Sequence, residues 1–118
     1  MITIKDLRGI FDDTWFVIVD EKDREIFDEK NEKMHDISEF DKCEVKVAYP
    51  SEEEVGQIVC LISSNDSNLP KKRRYEIKGT WSYVVEANSF KEARDIFDNV
   101  YTEDLFINDD YDVTEIEN

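Results

Sequence analysis

The first eleven residues carry apolar side chains at helical spacing. Thr3 and Asp6 form the Ser/Thr-x-x-acid arrangement that starts a helix. The apolar positions that follow predict one face that packs on a sheet, and these positions are Ile4, Leu7, Ile10 and Phe11. We therefore expect a short N-terminal helix against the sheet that follows.

Two pairs of β-rich runs come next. Residues 15–19 lead through the polar stretch 20–23 into residues 24–27, which predicts a hairpin. Residues 43–49 alternate apolar with polar side chains, as a half-buried strand does. Residues 57–62 are the expected partner of that strand across an acidic loop, which predicts a second hairpin.

The stretch from Ser63 to Pro70 has linker composition. We place a subdomain boundary there, with residues 1–64 before a linker at 65–71 and residues 72–118 after it. No internal repeat relates the two halves.

The second half predicts a β-α-β module. Residues 75–85 alternate as one long strand, in which Gly79 marks a bend, a bulge or a hairpin turn. Ser89 and Glu92 form a capping box. The buried stripe of the helix that follows is expected at Phe90, Ala93, Phe97, Val100 and Tyr101. A last strand at 111–116 should pair with the long one. The predicted fold class is therefore α+β: a short N-terminal helix with antiparallel β-hairpins, then this β-α-β module.

Composition adds a core and a strong negative charge. The chain has 118 residues, of which 40% are apolar, and a formal net charge of −15. Such a charge repels nucleic acid and anionic membranes and attracts basic surfaces. The sequence has no apolar run near the roughly 18 residues of a spanning helix and no signal-peptide pattern, so we expect a cytoplasmic protein. Cys43 and Cys60 lie in strand-like apolar runs and are predicted to be buried, reduced thiols.

The C-terminal half also resembles a known family. The junction Val85-Glu86-Ala87-Asn88-Ser89-Phe90-Lys91-Glu92-Ala93 and the ending Val113-Thr114-Glu115-Ile116 are similar to those of the DpnD/PcfM-like small proteins of bacterial mobile elements. The resemblance covers about residues 73–118. The N-terminal half more loosely resembles small phage and conjugative-element proteins that open with a short I-x-D-L helix. These resemblances imply a mobile-element setting in a bacterial host and bring no catalytic residues with them.

Few residues are suited to catalysis. His35 is the sole histidine, and we expect it in a solvated loop. The three glycines lie far apart, so no phosphate-binding loop is present. The segment 108–112 is rich in oxygen ligands but lacks the glycine and closing glutamate of an EF-hand loop. We therefore predict a protein that is not an enzyme and has neither a cofactor nor a dedicated metal site. A small metal-dependent enzyme or calcium sensor is the least favoured alternative.

Charge is distributed unevenly along the second half. Residues 69–94 hold seven bases and three acids, whereas residues 95–118 hold nine acids and no base. The basic run Lys71-Lys72-Arg73-Arg74 is expected to serve inside the protein rather than to bind nucleic acid directly. The acidic segment is either a solubilising face or a partner-binding surface. Under the second interpretation its candidate residues are Asp95, Asp98, Tyr101, Glu103, Asp104, Phe106, Asp109, Asp110, Tyr111 and Asp112.

These observations together favour a binding function. The leading hypothesis is an acidic phage or mobile-element protein that inhibits a basic nucleic-acid-binding host protein, possible examples being Cas effectors, by occlusion or nucleic-acid mimicry. This is an anti-CRISPR-like, anti-defence role. The alternative is a structural or assembly protein of a phage or conjugative element, in which exposed strand edges form homo-oligomers.

Overall fold

The computed structural model describes residues 1–78, 82–100 and 112–116, and these form an α+β protein with two sheets. The N-terminal elements are helix α1 (Ile4–Ile10), strands β1 (Trp15–Val19) and β2 (Glu25–Asp28), a 3-10 helix (Ile37–Phe40), and strands β3 (Val47–Pro50) and β4 (Gln57–Leu61). The C-terminal elements are strands β5 (Arg73–Lys78) and β6 (Ser82–Ala87), helix α2 (Phe90–Val100) and strand β7 (Asp112–Ile116).

The N-terminal sheet has the order β2-β1-β4-β3 and confirms both predicted hairpins. The sequence did not indicate that β1 and β4 pair in parallel, which joins the hairpins into one sheet. This pairing places Phe16, Ile18 and Cys60 on one face, where α1 and the 3-10 helix cover them. Residues 42 positions apart are thus brought side by side, since Phe16 lies opposite Ile58 and Ile18 opposite Cys60.

Helix α1 has the predicted capping box, in which Asp6 N–H donates to Thr3 Oγ1 and Thr3 N–H donates to the Asp6 carboxylate. Ile4 and Leu7 are buried as expected. Ile10 and Phe11 are exposed, so that part of the prediction is wrong. The helix ends at Ile10, and Phe11 N–H closes its last turn on the Leu7 carbonyl.

The predicted half-buried strand 43–49 is also corrected. Strand β3 covers only residues 47–50, and all four are exposed on this edge strand of the sheet. The preceding residues pair with the N-terminus instead: Ile4 N–H donates to the Cys43 carbonyl at 3.1 Å and Val45 N–H to the Ile2 carbonyl at 2.8 Å. The apolar residues of one sequence run therefore serve two different partners.

The C-terminal sheet has the order β6-β5-β7, all antiparallel, and β7 pairs with β5 as predicted. The predicted long strand is two antiparallel strands, with Lys78 opposite Ser82, so the module has two strands before the helix and one after it. Gly79 lies outside the described residues. Tyr75, Ile77 and Val85 are buried on the predicted face. Of the predicted helix stripe, Phe90, Ala93 and Phe97 are buried, while the side chains at 100 and 101 lie outside the described residues.

The apolar residues form two clusters, one in each half, and polar groups connect them. Ser89 Oγ donates to the Ile26 carbonyl at 2.6 Å, and Lys91 N–H donates to the Glu32 carboxylate at 3.1 Å. The segment predicted as a linker contacts the N-terminal half: Leu69 packs on its core, and Asp66 accepts a hydrogen bond from Glu44 N–H. The division into two subdomains stays a prediction. No helix among the described residues is long and apolar enough to cross a membrane.

Candidate functional site

The structure describes three of the ten predicted partner-binding residues. Asp95 and Asp98 lie on α2, and Asp112 begins β7 opposite Lys78. The other predicted positions lie outside the described residues, and these are Tyr101, Glu103, Asp104, Phe106, Asp109, Asp110 and Tyr111. Asp98 and Asp112 are exposed, whereas Asp95 is held by Lys91, whose Nζ lies 2.8 Å from Asp95 Oδ1.

Asp95 and Asp98 line a cleft of about 600 Å³ between the two halves of the chain. Its walls come from the β1–β2 turn with the start of β2, from the segment 64–72, and from the end of β6 with α2. The described lining contains eight carboxylates, namely Asp20, Asp23, Glu25, Asp66, Glu86, Glu92, Asp95 and Asp98. It contains two basic side chains, Arg24 and Lys72. We call this space the acidic cleft.

Asp20 builds the wall contributed by the β1–β2 turn. Its side chain is buried and accepts hydrogen bonds from the backbone N–H groups of Lys22 and Arg24 at 2.9 and 3.0 Å. Arg24 Nε donates to the same carboxylate at 2.9 Å, so one of the two cations of the cleft is already paired. Asp23 has a positive φ of 62°, a conformation that Asp adopts more readily than most residues, and its exposed side chain lies at the cleft.

Two carboxylates of the cleft are held in unfavourable surroundings. Burial raises the pKa of Glu92, although a hydrogen bond from Asn88 N–H and the charges of Lys72 and Arg24 act against the shift. Burial also raises the pKa of Glu25. The charge of Lys91 acts against this shift, whereas the charges of Asp28 and Asp95 add to it. The fold therefore concentrates negative charge here at a cost in stability.

Asn88 is a further polar residue of the cleft wall. It is only 7% exposed, and its Nδ2 lies 3.4 Å from Glu92 Oε1. Apolar side chains complete the wall, and these are Ile26, Leu69, Pro70 and Ile96.

A second polar cluster surrounds His35. The prediction that His35 lies in a solvated loop is therefore wrong. The His35 side chain is 10% exposed rather than solvated, because the start of β5 and the 3-10 helix enclose it. Its Nε2 lies 2.7 Å from Tyr75 Oη, and its Nδ1 lies 3.3 Å from Glu39 Oε2. The cluster joins the two halves of the chain.

Arg73 completes the His35 cluster. Its Nη2 lies 2.5 Å from Glu39 Oε1 and its Nε lies 3.1 Å from Glu115 Oε1. The predicted intramolecular role of the basic run is confirmed for this residue. Lys71 and Lys72 are exposed on the surface.

The described residues contain no group of three His, Cys, Asp or Glu side chains positioned to hold a metal ion. The predicted oxygen-rich segment 108–112 lies outside the description except for Asp112. Cys43 and Cys60 are buried free thiols, as predicted, and burial raises the pKa of each to about 12.

Comparison with known proteins adds no relative: no family model, no curated protein and no solved structure matches the chain. The resemblance to the DpnD/PcfM-like proteins stays a prediction.

Helix α2 contributes three carboxylates to the cleft, and the sequence predicted two of them, Asp95 and Asp98, as site residues. The other carboxylates of the cleft were not predicted. Asp20, Glu25 and Asp66 precede the base-free segment by many residues, and only the packing of α2 beside β2 brings them to the same space. Asp20 carried one usable signal, since an Asp that opens a polar hairpin turn commonly accepts hydrogen bonds from the turn's own backbone.

Proposed function

We propose that this chain is a non-enzymatic binding protein that covers a basic nucleic-acid-binding surface of a host protein. The observation that supports the proposal is the distribution of charge. All 15 Lys and Arg residues precede Asp95, and at least six of them are ion-paired within the molecule. The acidic residues, twice as numerous, leave a large negative excess on the surface.

The proposed mechanism is electrostatic occlusion. A groove that binds nucleic acid is lined by Lys and Arg, and its affinity for phosphates comes largely from the release of counterions. Carboxylates spaced along α2, the segment after it and β7 would compete for the same cations. The setting is a phage or another mobile element acting against a host defence nuclease, the anti-CRISPR-like form being the most specific version. The direct partner is a protein, with neither nucleic acid nor membrane in the contact.

A competition assay tests this proposal. Labelled duplex DNA bound to an RNA-guided nuclease is titrated with the chain at low and at high salt, and the released DNA is followed by fluorescence anisotropy. We expect displacement at low salt that weakens as salt rises, because screening acts on exposed charges. No displacement from nucleases of several types at low salt would contradict the proposal.

Charge reversal locates the contact. We expect the triple variant Asp98→Lys, Asp110→Lys and Asp112→Lys to lose affinity by about tenfold or more, since rim charges change association and its salt dependence. The matched control is Asp12→Lys, Glu52→Lys and Glu53→Lys, which makes the same charge change on exposed N-terminal loops. An equal loss of affinity in both triple variants would show that only the net charge matters. It would exclude α2 and β7 as the specific contact surface.

Assembly into homo-oligomers is the second candidate function, and β3 favours it. Strand β3 is an edge strand with four exposed residues, of which Val47 and Tyr49 are about half exposed. Unpaired edges of this kind accept another strand. Oligomers that grow with concentration in light scattering, and that Tyr49→Lys abolishes, would support assembly. A monomer at all concentrations would exclude it.

A further inference from the structure

We infer that the chain forms a dimer in which the N-terminal sheets of two copies pack face to face. The contact is made by the face of that sheet opposite the N-terminal core, which we call the outer face. Its residues differ from those of α2 and β7, so the inference goes beyond the proposed function and does not rest on it.

The register of the strands defines the outer face. Phe16, Ile18 and Cys60 point into the core, so the residues that alternate with them point the opposite way. The outer face therefore consists of Trp15, Val17 and Val19 on β1, Gln57, Val59 and Leu61 on β4, and Val47 and Tyr49 on β3. Val17 is buried, whereas Trp15, Val47 and Tyr49 are each about half exposed. Seven of these eight side chains are apolar or aromatic, and none is charged.

The outer face is unlike a sheet face that water covers. On the face of the C-terminal sheet away from α2, Arg74 lies opposite Glu86 and Lys78 opposite Asp112, so charges of both signs alternate there. In contrast, β1 and β4 pair in parallel, and parallel strands in proteins are covered on both faces. The described helices make their main contacts elsewhere, α1 with the 3-10 helix and α2 with β2 and β6. The apolar outer face is therefore suited to contact with another protein surface.

Charge selects a second copy of the chain as the occupant. A basic partner is attracted to carboxylates, and β1, β4 and β3 present none on this face. On β2, Asp28 lies opposite Val17, but it is buried and accepts a hydrogen bond from Asn31 Nδ2 at 2.7 Å. Two copies of net charge −15 repel each other, so they associate best where neither presents its acids. The outer face meets that condition, and a second copy brings a face of the same size and the same apolar character.

The charges at the two ends of the N-terminal sheet set the orientation of the copies. The first end has exposed carboxylates on the loops 11–14 and 51–56, and these are Asp12, Asp13, Glu52, Glu53 and Glu54. The second end carries both signs, and its exposed bases are Lys22, Arg24 and Lys46. A two-fold axis that crosses the strands places the first end of each copy beside the second end of the other, where the carboxylates meet basic side chains. Trp15 at the first end then faces the smaller Val19 at the second end of the other copy.

The size of the contact sets its strength. Three strands of four or five residues provide an interface at the low end of the observed areas, below about 1,200 Å² in total. We therefore expect a transient dimer with a dissociation constant in the micromolar range. Added salt should tighten the dimer, because it screens the repulsion between the copies and leaves the apolar contact intact. This salt dependence is opposite to the one expected for binding to a nuclease.

Sedimentation velocity from micromolar to millimolar concentration tests the inference. We expect a reversible equilibrium between monomer and dimer that shifts toward the dimer as sodium chloride is added. A monomer at every concentration would overturn the inference. Oligomers that grow beyond the dimer would also overturn it, because a two-fold contact between outer faces closes at two copies.

Two variants locate the contact. Trp15→Lys introduces a charge on the outer face at β1, which is not an edge strand. The matched control Val84→Lys introduces a charge on the C-terminal sheet, where Val84 is 40% exposed. We expect Trp15→Lys to raise the dissociation constant by about tenfold or more and Val84→Lys by less than about threefold, since a central aromatic residue dominates a small contact. Equal effects of two variants that circular dichroism shows to be folded would overturn the inference.

Tryptophan fluorescence tests the contact without altering the outer face. Trp81→Phe leaves Trp15 as the one tryptophan of the chain. We expect its emission maximum to move to shorter wavelength as protein concentration and salt rise, because the half-exposed ring becomes covered in the dimer. Emission at short wavelength already in the dilute monomer would mean that a segment of the same chain covers the face, and it would overturn the inference.

The DNA displacement assay separates a second copy from a different protein partner. We expect Trp15→Lys and Val84→Lys to displace DNA from a nuclease as well as the wild type does. Loss of displacement with Trp15→Lys alone would assign the outer face to the nuclease and overturn the inference. Failure of the wild type to displace DNA, with the dimer present in sedimentation, would contradict the proposed function only.

Discussion

Individual side chains show how strongly burial governs chemistry in this small protein. Cys43 and Cys60 are fully buried in the N-terminal core, and burial raises the pKa of each thiol to about 12. The thiolate is the reactive form of cysteine, so a protonated and enclosed thiol is inert. Both residues act as small apolar side chains here.

We expect neither thiol of the native protein to react with a thiol reagent such as Ellman's reagent at neutral pH. Both should react promptly in denaturant, where the thiols are exposed and their pKa returns to the ordinary range. Rapid reaction of one thiol per chain in the native state would show that its surroundings open.

Glu92 shows the opposite case of a charge kept where burial disfavours it. A carboxyl whose pKa is higher in the folded than in the unfolded chain binds its proton more tightly when folded. The folded state therefore loses stability as pH rises from the ordinary value of 4.5 through the raised pKa, and the full cost is present at neutral pH.

Glu92→Gln should accordingly raise the free energy of unfolding at neutral pH, and the gain should shrink as pH falls through the raised pKa of Glu92 and be absent below 4.5. Glutamine retains an oxygen that accepts the hydrogen bond from Asn88 N–H. Urea denaturation at several pH values measures the effect, with Glu53→Gln on an exposed loop as the matched loss of one charge. A variant less stable than wild type at neutral pH would contradict this account.

At the scale of elements, the N-terminus of α2 combines local capping with long-range contacts. Ser89 Oγ accepts from Glu92 N–H at 3.1 Å and donates to the Ile26 carbonyl at 2.6 Å. The Glu92 carboxylate accepts from Asn88 N–H, one residue before the N–H that an ordinary capping box uses. Glu32 accepts from the N–H groups of Phe90 and Lys91, which places a negative charge at the positive end of the helix dipole.

Ser89→Ala is expected to cost about 2–3 kcal/mol, because it removes an N-cap and leaves a buried carbonyl without its donor. Thr3→Ala is the matched control: the Thr3 side chain caps α1 but makes no long-range hydrogen bond in the described structure, so its loss should cost about 1 kcal/mol. Chemical denaturation gives both values. Equal losses of unfolding free energy in the two variants would mean that the hydrogen bond to Ile26 contributes nothing to stability.

At the scale of the whole molecule, the two halves have separate apolar clusters and are joined by polar groups. His35, Glu39, Arg73, Tyr75 and Glu115 form one junction, and the N-terminus of α2 forms the other. The acidic cleft lies between the halves, so the charges that favour a basic partner also repel one another across it.

Salt should therefore act on folding and on binding in opposite directions. Added sodium chloride screens the repulsion within a chain of net charge −15 and should raise the melting temperature by several degrees, while it weakens the displacement of DNA from a nuclease. Sodium chloride and an equal ionic strength of a second monovalent salt should act alike in thermal denaturation. A melting temperature that falls with salt would show that the ion pairs joining the halves outweigh the repulsion.

The sequence by itself determined the local structure. Capping residues predicted the starts of α1 and α2, β-rich runs around a polar turn predicted β1 and β2, and alternation predicted β7. The excess of acids set the sign of the charge expected of a partner. These properties depend on residues close together in the chain, where spacing alone decides which side chains share a face.

Only the tertiary structure decided which distant residues lie side by side. It paired β1 with β4 in parallel, left Val47 and Tyr49 exposed on an edge, and enclosed His35 beside Tyr75. It also placed Asp20 and Asp66 in one cleft with Asp95 and Asp98. Such contacts join residues tens of positions apart, and they form only when whole elements pack together. The spacing of residues within one segment carries no information about that packing.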